Sequence, residues 1–204
     1  SSKTNRPIIE GRYYRFVQFA SIPSQENKEA MMAQGLRFQE YIPMNTYLVS
    51  FPKDFDKNSL EKFGAQSVME ILNSDRITDM ALSTPYPEWA IEEDEVVLYI
   101  SFYQDLDFES QIEKLQPYIS RVKSKNEFVK KTLVVVNKNN VTSLFNHEGI
   151  RMIDLTPEPG KPEHDLSRNM HRSTSINTRY NGGRKYDGTG VVVAVNDDGI
   201  VGPH

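Results

Sequence analysis

Leu36-Arg37-Phe38-Gln39-Glu40-Tyr41-Ile42-Pro43-Met44-Asn45-Thr46-Tyr47-Leu48-Val49-Ser50-Phe51 holds two runs rich in aromatic and aliphatic residues. They flank Pro43-Met44-Asn45, which has the composition of a hairpin turn. Leu36–Ile42 and Thr46–Phe51 are therefore expected to be paired strands. Upstream, Tyr13–Phe19 has the residue types of a strand and little helical character. Ser24 then caps a helix running to about Gln34, with Ala30, Met31 and Ala33 as good helix formers and Gly35 as its stop. Downstream, Asn58 to Phe63 reads as a short helix ended by Gly64, and Val68-Met69-Glu70-Ile71 as a fourth strand.

The same order recurs with a period near 85 residues, the spacing between Leu48-Val49 and Leu133-Val134 and between Gly64 and Gly149. Glu95–Tyr103 reads as a strand, and Phe108–Gln116 as a helix with Ile112 and Leu115 on one face and Pro117 at its end. Strands around Arg121–Lys125 and Lys131–Asn137 flank a turn at Asn126. A short helix spans Val141 to Glu148, with Gly149 as its stop. Met152-Ile153-Asp154-Leu155 is the last strand and matches Val68-Met69-Glu70-Ile71. Each copy is β-α-β-β-α-β, the ferredoxin-like arrangement, so the expected class is α+β with two tandem lobes. Right-handed crossovers put both helices on one face of a four-stranded antiparallel sheet and leave the other face to dock a partner. Lobes this small are expected to pack together or on a partner.

The expected division is 12–72 for the first lobe, 73–94 for an inter-lobe linker, 95–155 for the second lobe, 156–172 for an exposed linker and 173–204 for a further segment. The second linker opens Thr156-Pro157-Glu158-Pro159-Gly160-Lys161-Pro162, whose prolines hold it extended. Within the last segment, five apolar residues (Val191–Val195) follow a Gly-rich turn and precede Asp197-Asp198. That is the pattern of a strand buried on both faces of a parallel sheet, with acids at the carboxyl end where such sheets place catalytic groups. The strand is expected to be paired or packed against another chain. Glycines before rather than after a strand do not make a phosphate loop.

Asp187-Gly188-Thr189-Gly190-Val191-Val192-Val193-Ala194-Val195-Asn196-Asp197-Asp198-Gly199-Ile200 resembles the segment around the catalytic aspartate of subtilisin-like serine proteases, with Asp197 at the catalytic position. Pro-regions of that family are ferredoxin-like. The stretches Tyr41–Val49 and Pro87-Glu88-Trp89-Ala90 are also similar to the long pro-regions of its secreted bacterial members. The resemblance implies a pro-region, acting as intramolecular chaperone and inhibitor, followed by the start of an α/β subtilisin-like catalytic domain. It implies a serine endopeptidase for the whole protein, with an Asp-His-Ser triad of which these 204 residues carry only the Asp, so the chain alone is expected to be inactive. His204 falls where relatives carry a non-catalytic histidine. Asp198 stands where many members have Ser or Thr; kexin- and furin-like enzymes carry Asp there, which implies binding of a basic substrate side chain. Asn196 departs from the usual apolar residue. Maturation is implied between His164 and Ser173, with Arg172–Ser173 favoured by Asp198. The implied partners are the cognate catalytic domain and protein or peptide substrates. No cofactor is implied in this stretch; calcium would belong to the catalytic domain. Localisation is implied to be secreted or at the cell surface.

Composition narrows the alternatives. A net charge of −4 disfavours nucleic acid and anionic membranes as partners, and no apolar run has the length of a membrane helix. With no cysteine, thiolate and disulfide chemistry are excluded. The start at Ser1-Ser2-Lys3 fits a removed signal peptide or an arbitrary boundary. His147, His164, His171 and His204 lack metal-ligand spacing and read as surface residues, so no metal site is expected. Lys123, Lys125, Lys130 and Lys131 read as a solvated hairpin. Two other readings stay open: a free-standing tandem protease inhibitor or binding module, and a small-molecule sensor with a pocket between its lobes.

Overall fold

A computed structural model describes residues 8–159 together with Thr189, Gly190 and Val192. In the first lobe, β1 (Arg12–Phe19), α1 (Gln25–Ala33), β2 (Arg37–Ile42), β3 (Thr46–Pro52), a 3-10 helix (Lys57–Phe63) and β4 (Ala65–Met69) follow one another. The sheet runs β2-β3-β1-β4 and is antiparallel throughout, as βαββαβ connectivity requires. Ser24 caps α1, its Oγ accepting from the Asn27 amide at 3.2 Å, and Gly35 ends it at φ +94°. Asp56 caps the 3-10 helix, and Gly64 closes it in the left-handed region at φ +82°. β4 starts at Ala65, three residues before Val68, because the Gly64 turn delivers the chain straight onto β1. Ile71 has by then left the sheet for the junction between the lobes.

The linker expected at 73–94 is packed against the second lobe. It contains a 3-10 turn (Asn73–Arg76), α2 (Asp79–Leu82), another 3-10 turn (Glu88–Ala90) and β5 (Ile91–Glu92). Ile77, Ala81 and Ala90 are buried in the second lobe's core, and Ile77 makes a parallel bridge to Ile153. Next come β6 (Glu95–Phe102), α3 (Phe108–Leu115), β7 (Arg121–Asn126), β8 (Lys131–Val136), a 3-10 helix (Lys138–Asn146) and β9 (Ile150–Leu155). β6 lies between β8 and β9, with β5 beside its first residues and β7 outside β8. This is the first lobe's order again. The last 3-10 helix starts before Val141 because Asn137 caps it, accepting from the Asn139 amide at 3.0 Å.

The duplication extends to irregularities. The hairpin β2–β3 shifts register between Phe38 and Glu40, and β7–β8 does so between Val122 and Ser124. The pairing β1–β4 shifts between Gln18 and Phe19, and β6–β9 between Ser101 and Phe102. A bulge kept at the same place in both copies is a built feature of the sheet. Gly64 and Gly149, matched by sequence, differ in role. Gly149 is not in the left-handed region among the described glycines; it is small because Gln111 needs the space, since an added Cβ would stand 2.0 Å from Gln111 Oε1.

Each lobe has its own core between sheet and helices, built on Val17, Phe19, Met31, Val49 and Phe51 in the first and on Leu98, Ile100, Phe102, Ile112 and Val134 in the second. A third cluster lies between them, and both lobes belong to one compact unit ending at Pro157.

Candidate functional site

Strand alternation gives the first lobe a second apolar face, away from α1, bearing Tyr14, Phe16, Ile42 and Leu48. The sequence leaves that face for a partner; in the structure the second lobe occupies it. Tyr103 and Leu106, from the loop after β6, pack there, and the Tyr103 ring stacks on Tyr14 with centroids 3.8 Å apart and planes at 23°. Between the two apolar residues the loop inserts Asp105. Its carboxylate accepts from the Tyr14 hydroxyl at 2.7 Å and the Ser50 hydroxyl at 2.5 Å, and Arg12 Nε lies 3.2 Å away. Arg12 also donates to Ser50 Oγ (2.9 Å), Gly35 O (2.6 Å) and Ser50 O (3.0 Å). Arg37 adds a longer contact to Asp105, 3.8 Å, from an exposed position.

Burial, together with the adjoining carboxylate, pushes the Tyr14 hydroxyl far above its usual pKa, so it remains a donor. Burial lowers the Arg12 pKa and the neighbouring Arg37 charge lowers it further, against the opposing pull of Asp105. The outcome is a largely buried carboxylate held by four side chains, Tyr14, Ser50, Arg12 and Arg37. Ser50 is fully buried, and its oxygen both donates to Asp105 and accepts from Arg12. Such a serine has no route to a substrate. The cluster fastens; it does not react.

Around it run further ties: the Gln104 amide donates to Gln39 Oε1 at 2.9 Å, Gln111 Nε2 to Glu10 Oε1 at 2.9 Å, and Arg151 pairs with Glu40. A crevice of about 240 Å³ opens beside the stack, lined by Tyr14, Arg15, Asn73, Arg76, Tyr103 and Glu148. Arg76 donates to Ile150 O at 2.9 Å and His147 O at 2.5 Å, with longer bonds to Phe145 O and Asn73 Oδ1 at 3.4 Å. Among the described residues, no group of three or more His, Asp or Glu side chains could hold a metal ion.

His147, expected at the surface, is buried. The 3-10 helix before it turns the imidazole under α3, where Nε2–H donates to Gln111 O at 3.0 Å and Nδ1 has no partner. Desolvation lowers its pKa, and the Arg76 and Lys114 charges add to that, so it is held neutral.

Asp197, Asp198, Arg172 and Ser173 lie outside the described residues. Of the expected strand only Val192 is described; it is in no strand and is 98% exposed. The rest of the expected strand, Val191 and Val193–Val195, lies outside the described residues. Thr189 and Gly190 form the turn before it, with Gly190 at φ +84°.

The junction residues Arg12, Tyr14, Ser50 and Asp105 escaped the sequence reading because nothing local marks them. Asp105 sits two residues before the helix cap Asp107 and reads as more of the same turn.

A family model described as Domain of unknown function (DUF8729) matches residues 1–72. The match thus covers the first lobe and the residues before it. No curated protein and no solved structure matches the chain. Among the described residues, no helix is long and apolar enough to cross a membrane.

Proposed function

We propose that the chain is the pro-region of a secreted subtilisin-like serine endopeptidase together with the first stretch of its catalytic domain. One observation carries this reading. An acidic pair, Asp197-Asp198, stands one residue (Asn196) past an all-apolar run entered through Asp187-Gly188-Thr189-Gly190, and it does so downstream of two βαββαβ lobes. In this reading Asp197 fixes the tautomer of a histidine, which takes the proton of a nucleophilic serine; both come from polypeptide beyond these residues. The lobes serve as chaperone and inhibitor. Because Asp105 and the Tyr14–Tyr103 stack join them, they would engage the catalytic domain as one body.

The proline-rich stretch after Leu155 would lie extended in the substrate cleft, pairing by main-chain hydrogen bonds as an added strand. Asp198 would receive a basic side chain, which fits Arg172–Ser173 as the maturation bond. The test is mass spectrometry of the precursor expressed from its whole gene. Release of a fragment ending between His164 and Ser173 supports the reading. Cleavage inside 12–155, or a gene that supplies no histidine and serine motifs after Asp197, refutes it and leaves a free-standing tandem inhibitor or binding module.

A further inference from the structure

We propose that the tip of the β7–β8 hairpin is an anchor, with Phe128 entering an apolar socket on the peptidase domain; this rests on the precursor reading above. Phe128 is 94% exposed, and Val129 beside it is partly so. Single exposed apolar residues are ordinary on protein surfaces, so exposure by itself decides nothing. The support beneath this one is what distinguishes it. Lys130 holds a left-handed turn at φ +51°, its amide donates to Glu127 O at 3.1 Å, and its carbonyl accepts from the Phe102 amide at 2.9 Å. Gln104 Nε2 donates to Val129 O at 3.3 Å. The turn is thus pinned to the end of the central strand while the Phe128 ring packs on nothing among the described residues.

The first lobe repeats the device. The Phe19 amide donates to Asn45 O at 3.0 Å, Asn45 is left-handed at φ +55°, and Met44 on the turn is 77% exposed. Two copies that have diverged widely in sequence keep a pinned turn with a large apolar side chain outward. A side chain held in place before binding loses little freedom on docking.

Charge selects the kind of partner. Lys123 pairs with Glu92, Lys125 with Glu109 and Lys130 with Glu127, which leaves Lys131 as the hairpin lysine without an ion pair among the described residues, one charge where an anionic lipid surface calls for a cluster. A protein socket fits a neutralised stem with an aromatic tip. Gln104 also makes the tip continuous with the inter-lobe junction, since its amide bonds Gln39 of the first lobe.

The experiment compares the 204-residue chain and its Phe128→Ser variant as inhibitors of the peptidase matured from the full precursor. Burying one Phe predicts that the variant needs roughly ten- to hundredfold more chain for equal inhibition. Its thermal midpoint should match wild type, because the ring packs on nothing among the described residues. Equal inhibition by both chains overturns the anchor while leaving the precursor reading intact. A lowered midpoint overturns it too, by placing the ring inside the fold. Phe128-dependent binding to phosphatidylglycerol vesicles would assign the tip to lipid instead. A full-length product without peptidase activity removes both the reading and the anchor.

Discussion

The Tyr14 hydroxyl donates to Asp105 across 91 positions of sequence, at 2.7 Å, and Ser50 and Arg12 complete the shell around the same carboxylate. Removing the carboxylate leaves Arg12 largely buried without its counter-charge, the costly way to break a buried pair. Asp105→Asn should therefore destabilise the chain by about 2–4 kcal/mol in urea titrations. Tyr14→Phe keeps the stack on Tyr103 and removes only the hydrogen bond, so its cost should be about 1.5–3 kcal/mol. A double-mutant cycle should give a clear coupling energy between the two sites. Additive effects would mean that the lobes are held by the apolar stack alone.

Tyr14 also sets an alkaline limit. Its folded pKa is raised by burial and by Asp105, while an unfolded tyrosine ionises near pH 10. Above that pH the unfolded chain has lost a proton that the folded chain still holds. Stability is therefore complete below about pH 10 and falls as pH rises past it. Tyr14→Phe should flatten this slope in denaturation measured from pH 9 to 11. An unchanged slope would place the alkaline sensitivity elsewhere.

His147 acts at the other end of the scale. Desolvation lowers its folded pKa below the unfolded value near 6.5, so the unfolded chain binds the extra proton first. Stability is complete above about pH 6.5 and is lost as pH falls below it. The groups facing the ring region are Arg76 and Lys114, which oppose protonation, and Glu10 and Glu148, which line a second crevice that His147 itself borders. Between pH 7 and 5.5, a window that avoids most carboxylate titration, His147→Gln should lose the downward slope whatever its effect on absolute stability. Persistence of the full slope would show that another group titrates.

The glycines separate what sequence can reveal from what it cannot. Gly35 and Gly64 were legible as helix stops because a left-handed residue is a local demand, written beside the helix it ends. The strands and their order were legible for the same reason, since alternation and turn chemistry are local and were present twice. Gly149 looked like a third stop and is not. Its smallness answers Gln111, 38 positions earlier, and no local pattern carries that. Asp105, Ser50 and the burial of His147 were invisible in the same way. The junction is made by side chains that are far apart in sequence and near only in the folded chain.

Two substitutions make that contrast measurable. At Gly64 a Cβ meets open space, so Gly64→Ala bears only the left-handed backbone penalty, about 1 kcal/mol. At Gly149 the Cβ would collide with the Gln111 amide, which is buried and bonded to Glu10. Gly149→Ala should cost about 1–3 kcal/mol as overpacking. Gln111→Ala in the Gly149→Ala background should recover part of that cost, whereas in the Gly64→Ala background it should recover none. Equal behaviour in both backgrounds would remove Gln111 as the reason for the glycine.

The last prediction concerns Asp197 and the bond it would help to cut. If Asp197 orients the catalytic imidazole, Asp197→Asn in the full precursor leaves the ring in the wrong tautomer and should slow self-processing by about 10⁴-fold. The precursor should then accumulate uncut while the lobes remain folded, because each lobe has its own core. Arg172→Ala tests a different link. With Asp198 at the receiving end, it should slow cleavage at Ser173 without stopping peptidase action on an external substrate once mature enzyme is added. Asp198→Ser should weaken the preference for Arg and Lys in a peptide library and leave apolar substrates unaffected. A precursor that matures normally with Asn at 197 would deny that carboxylate any part in catalysis. Indifference to Lys and Arg in the wild-type enzyme would deny Asp198 its role, with the triad untouched.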